Sequence, residues 1–188
     1  LVGYGLGADA SFVSSLIGVY VVFLAIGAFT LPLTTRALGA RGALVLSALL
    51  VSLGYGLWLP FHDSTVQALI NMAIAGLGSG ALVAALPAAA AAAAPPDRTG
   101  FATGMTNATK TVGGAIASSI FAIALSATGS LEGPNEGESP LSGYLTVWAI
   151  CAAAALVAAF VLALRKPPAD YPIDTVVVPT AATYDPTS

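Results

Sequence analysis

Apolar residues fill this chain in long unbroken runs, and charged residues mark where the runs stop. No charge occurs between Asp9 and Arg36, Arg41 and Asp63, Asp63 and Asp97, Lys110 and Glu132, or Glu138 and Arg165. Each interval holds about 20 residues or more, the length a helix needs to cross a hydrocarbon core. The runs are continuous rather than alternating, which favours helices over the tilted strands of a barrel. The pattern predicts an all-α integral membrane fold with five transmembrane helices, at roughly 12–33, 43–61, 66–90, 101–126 and 143–164.

Composition supports this reading. Of the 188 residues 57% are hydrophobic and 8% are charged, against about 25% charged in soluble domains. Too little polar surface remains to solvate a globule of this size. The net charge of −3 matters less than where the charges sit. Arg36 and Arg41 lie between the first two spans, Arg98 lies between the third and fourth, and Arg165 and Lys166 follow the fifth. The intervening loops carry His62 and Asp63, then Glu132, Glu136 and Glu138, with no Lys or Arg. The positive-inside rule then predicts cytoplasmic basic loops in a plasma-membrane protein, with the start of the chain outside and its end inside. Six scattered Lys and Arg make no nucleic-acid footprint.

The fourth run differs from the others because Lys110 lies within it. A lysine deep in a bilayer costs about 2.5–3.5 kcal/mol on insertion scales. On a helix Thr103, Asn107, Lys110 and Gly114 recur at four-three-four spacing and form one stripe. Lys110 lies roughly 15 Å along the axis from Gly100. Two placements stay open: a lysine facing a cavity or gate, and one that snorkels to the interface.

Small residues and prolines punctuate the rest. Gly76 with Gly80, and Gly100 with Gly104, form small-xxx-small faces for helix packing, and Gly113-Gly114 admits a neighbour or flexure. Pro87 is expected to interrupt the third span, with Asp97 or Thr99 capping the next helix. Tyr55, Trp58 and Phe61 suit an interfacial aromatic belt. The short turn Arg36–Arg41, with Gly39 inside it, is either a topology signal with helix capping or part of a gate. The stretch 127–142 should be a solvated loop, and 167–188, rich in Pro and Thr, a disordered cytoplasmic tail.

The catalytic inventory is poor. One His, one Cys in an apolar run and no Ser/His/Asp constellation exclude ordinary hydrolytic chemistry, and no metal spacing surrounds His62. No enzyme activity, cofactor or metal is expected. The chain opens on Leu1 with no basic segment before an apolar stretch, so a longer parent is expected.

The pattern Gly100-x-x-x-Gly104-x-x-Asn107-x-x-Lys110-x-x-Gly113-Gly114 resembles the penultimate-helix signature of major facilitator superfamily exporters, in particular the 14-helix drug/proton antiporter family. Gly3-Tyr-Gly-Leu-Gly, followed by an apolar run and the Arg36–Arg41 turn, is similar to a helix boundary in that superfamily's C-terminal half. The resemblance covers the chain to about residue 165 and aligns its runs with the last five helices of the fold. It departs at Lys110, where Arg is more usual, which replaces a bidentate contact by a point charge. It departs again in the turn, where Gly39 and Arg41 fit but Arg36 replaces an acid and Ala37 an Arg.

The resemblance implies that residues 1–166 are part of the C-terminal half of a secondary-active, proton-coupled exporter of small molecules. Its partners would be the lipid bilayer, the missing N-terminal half and the substrate. Thr103, Asn107, Lys110, Gly113 and Gly114 would line the cavity or inner gate, with Arg36, Gly39, Arg41 and Arg98 in cytoplasmic loops. None of the nine Asp and Glu falls in a span, so proton-carrying carboxylates are expected in the missing portion. The alternative is a stand-alone five-span scaffold or subunit without transport activity.

Overall fold

The computed structural model describes residues 10–61, 64–127 and 141–164. They form four α-helices: α1 (Ala10–Gly56), α2 (Thr65–Ala93), α3 (Thr99–Ala127) and α4 (Leu141–Leu164), with a short 3-10 turn at Pro96–Arg98. His62, Asp63, the acidic loop residues Glu132, Glu136 and Glu138, Arg165, Lys166 and the tail lie outside the described residues.

Five separate spans are therefore not what forms. The first two expected spans belong to one helical element of 47 residues. It is broken at Gly39, whose φ of 74° and ψ of 165° are the only non-helical values inside it. That combination is essentially reserved for glycine. Helical hydrogen bonding resumes immediately on both sides, so no loop separates the first limb (10–38) from the second (40–56). Three helices are long and apolar enough to cross a membrane, over Ser11–Gly56, Thr65–Ala93 and Ser142–Leu164. The fourth expected span forms as the helix α3, which carries Thr and Ser beside Asn107 and Lys110 among its apolar residues.

The contacts of α2 show how α1 folds back. Gly76 lies against Tyr20 and Leu24, and Gly80 against Leu24, so α2 and the first limb run in the same direction. Gly78 lies against Ser47 and Val51, and Gly54 against Ala75, so α2 opposes the second limb. The two limbs are antiparallel, and the reversal is at Gly39. A Cβ at Gly76 would meet the Tyr20 carbonyl oxygen at 2.5 Å, and one at Gly78 the Ser47 carbonyl oxygen at 2.6 Å. Only hydrogen at these positions lets the backbones approach so closely.

α4 packs antiparallel on the second limb. Trp58 meets Trp148 with ring centroids 4.0 Å apart, and Ser52 Oγ donates to the Ala152 carbonyl oxygen over 2.8 Å. Trp58 is fully buried and joins Leu16 and Ala68 in the core, with Phe12, Leu69, Met72 and Trp148 around them. It is not an interfacial anchor, because α4 supplies an aromatic partner that covers it. α2 also runs through Pro87 to Ala93 instead of stopping there. Proline deletes one helical hydrogen bond, and the alanines that follow are the best helix formers available.

Candidate functional site

The polar stripe occupies the first half of α3. Its hydroxyls are satisfied within the helix: Thr103 Oγ1 donates to the Thr99 and Gly100 carbonyl oxygens, each at 3.0 Å, and Thr106 Oγ1 to the Ala102 carbonyl oxygen at 2.9 Å. Thr109, Thr111 and Ser118 do the same with the carbonyls four residues back. Such back-bonding removes the cost of carrying hydroxyls into an apolar medium. Asn107 and Lys110 have no comparable outlet. Among the described residues neither side chain has a hydrogen-bond partner.

Burial along α3 is uneven. Thr103 and Thr106 are half-buried, as are Ala117, Phe121 and Ala124, but every residue from Asn107 to Ile116 is exposed. Thr103 and Ala117 lie seven residues before and after Lys110. Seven residues make two turns with a drift of only about 20°. Lys110 therefore points toward the side on which α3 packs, at a level where nothing packs. Gly113 and Gly114 share that open stretch, and a Cβ on either would touch nothing. Gly100 and Gly104 are equally open, so their small-residue face has no neighbour among the described residues.

The basic residues gather at the Gly39 end of the bundle. Parallel packing of the first limb with α2 puts Arg36, Arg41 and the α2–α3 junction together, and antiparallel packing brings the C-terminus of α4 to the same end. Arg36 is exposed. Arg98 lies 3.6 Å from Asp97 in an exposed pair, a contact of little energetic weight. Arg41 is half-buried and differently engaged. Its Nε donates to the Leu162 carbonyl oxygen at 3.0 Å and its Nη2 to that of Ala163. A guanidinium there satisfies carbonyls that the end of α4 leaves open and complements the helix dipole.

The structure also brings out residues that the hydropathy pattern passed over. Asn71 in α2 is fully buried. Its Oδ1 accepts from Gln67 Nε2 at 2.9 Å, and its Nδ2 donates to the Phe61 carbonyl oxygen at 3.3 Å. The pair pins the connection between α1 and α2. Its signal was available: two amides four residues apart in an apolar run. Arg41 stood out as a charge, but its partners 121 residues away carried no signal at all.

Within the described residues no group of His, Cys, Asp and Glu could hold a metal ion. The site consists of an amide and an ammonium on one helix face, beside small residues. That arrangement suits polar or ionic recognition within a membrane rather than bond-making chemistry. Residues 1–180 match the family described as Major Facilitator Superfamily. No curated protein and no solved structure matches the chain. The match takes in all four helices and the whole polar stripe, and this chain belongs to the major facilitator superfamily, whose members are multi-pass membrane transporters rather than enzymes.

Proposed function

We propose that the chain forms the closing helices of a proton-coupled exporter that moves small amphipathic molecules by alternating access. In this reading Thr103, Asn107 and Lys110 line the inner half of the substrate cavity or its gate. The observation that carries it is Lys110, turned toward the packed side of α3 yet exposed and unpartnered. A lysine carried about 15 Å along a membrane helix costs energy that snorkelling, a partner or a function must offset. Gly113 and Gly114 next to it leave room for a substrate or for a moving helix. The Gly39 end, with its arginines, is the cytoplasmic end of a plasma-membrane protein under the positive-inside rule.

The N-terminal half completes the cavity in such folds, since substrate sites lie between repeat-related halves. It would also supply the proton-carrying carboxylates, because the described helices contain no Asp or Glu. Lys110 pairs with an acid across the cavity or sets the gating equilibrium. The test is Lys110→Ala in the intact transporter, measured as proton-driven movement of a fluorescent amphipathic cation in vesicles. Transport falls at least about tenfold, a barrier change of about 1.4 kcal/mol, while membrane insertion is unchanged. Unchanged transport with normal insertion removes Lys110 from the mechanism.

A further inference from the structure

A second feature lies at the Gly39 end, away from the polar stripe. The second limb and α4 diverge to leave an open groove of about 490 Å³, lined by Val45, Leu49, Leu156, Val157, Phe160 and Ala163, among others. Its walls are almost wholly apolar, and it runs about 10 Å along α4 from Leu156 to Ala163. Arg41 lies just beyond one end, outside the lining itself. It is one helical turn before Val45, and it donates to the carbonyls of Leu162 and Ala163, so its guanidinium lies where the groove ends.

Both parts of this site have spare capacity. A guanidinium carries five N–H groups. Among the described residues Arg41 uses one on Nε and one on Nη2, which leaves three. The apolar walls of the groove match the acyl chains of the surrounding bilayer. We propose that this groove is a phospholipid site, with one acyl chain along Val45, Leu49, Leu156 and Phe160 and an anionic head group on the free N–H groups of Arg41.

Charge decides which lipid. Lipid tails are as apolar as the groove walls, so the chain gains packing but little selectivity. The end of α4 presents carbonyl oxygens and the negative pole of its dipole, which repel a phosphate. Arg41 reverses that sign locally. A zwitterionic head group gains less from the guanidinium than a head group with net negative charge. Arg36 is exposed and no part of the groove, so it adds only diffuse attraction.

The test reconstitutes the protein into vesicles of phosphatidylglycerol and phosphatidylcholine at equal mole fraction, extracts it gently and measures retained lipid by native mass spectrometry. Phosphatidylglycerol should be retained at roughly five times the amount of phosphatidylcholine, the preference that one interfacial arginine supports. Arg41→Lys and Arg36→Gln keep the enrichment, and Arg41→Gln abolishes it. Val157→Trp fills the groove without touching Arg41 and removes retained lipid of both kinds. Equal retention of the two lipids by the unaltered protein overturns the proposal, as does enrichment that survives both Arg41→Gln and Val157→Trp. Oxidation of a Cys151→Ala/Val157→Cys variant should leave it monomeric. A disulfide-linked dimer would put a second copy in the groove and overturn it too.

Discussion

α2 and α3 carry the same small-residue vocabulary and put it to opposite uses. Gly76 and Gly80 in α2 are pressed against the first limb, and Gly78 against the second. Gly100, Gly104, Gly113 and Gly114 in α3 face open space. Spacing of four residues permits close approach but does not produce it. What distinguishes the two helices is their surroundings. α2 lies between two limbs of a single helix that reverses at Gly39, so both of its glycine faces meet backbone. α3 touches its neighbours only near its ends, and its middle carries an amide and an ammonium with no outlet. One helix uses glycine to exclude everything, and the other keeps room for something.

The contrast can be broken most directly at Gly80. Gly80→Leu would drive a side chain into the Leu24 backbone, and the expected loss is about 3 kcal/mol or more. Thermal unfolding in detergent should show little folded protein. Next comes Gly39→Ala, which places a Cβ in a backbone region nearly closed to it. A cost of about 1–3 kcal/mol is expected, and a midpoint equal to that of the unaltered protein would mean that the reversal tolerates another geometry.

A smaller effect is expected at the Trp58–Trp148 contact. Trp148→Phe keeps an aromatic ring there and should cost about 1 kcal/mol. The two residues are the only tryptophans in the chain, so the variant leaves Trp58 as the sole emitter. Its fluorescence should be blue-shifted and resist aqueous quenchers. Quenching by iodide would place Trp58 at the interface after all. The smallest effect belongs to α3. Gly104→Leu should change stability by no more than about 0.5 kcal/mol. A loss as large as that of Gly80→Leu would show that α3 has a close neighbour and would erase the difference between the helices.

Much of the architecture was legible in the spacing of charges. Helices at 65–93, 99–127 and 141–164 lie close to the expected spans, because an apolar run bounded by charge has few other ways to satisfy its backbone in lipid. The turn at Gly39 was legible as a turn but not as a single-residue break, since hydropathy does not distinguish a loop from a reversed helix. Trp58 was misplaced for a different reason. Clustered aromatics near Pro60 look like an interfacial belt unless Trp148, ninety residues later, is known to cover one of them. The polar stripe on α3 was visible from helical periodicity alone. That its middle would stay open while its ends pack was not, because packing depends on the crossing of neighbouring helices and not on the sequence of one.

Arg41 also has a consequence in time. Its hydrogen-bond acceptor at Leu162 is 121 residues further along the chain. At about 5–20 residues per second, the ribosome needs roughly 6–24 s to make that stretch. Throughout that interval the newly inserted hairpin carries a guanidinium without its permanent acceptors, held only by water and lipid phosphates at the surface. The hairpin and α2 must therefore hold together on their own contacts, namely the glycine faces, the Leu16–Trp58–Ala68 core and the Asn71–Phe61 hydrogen bond, and α4 fastens what has already assembled.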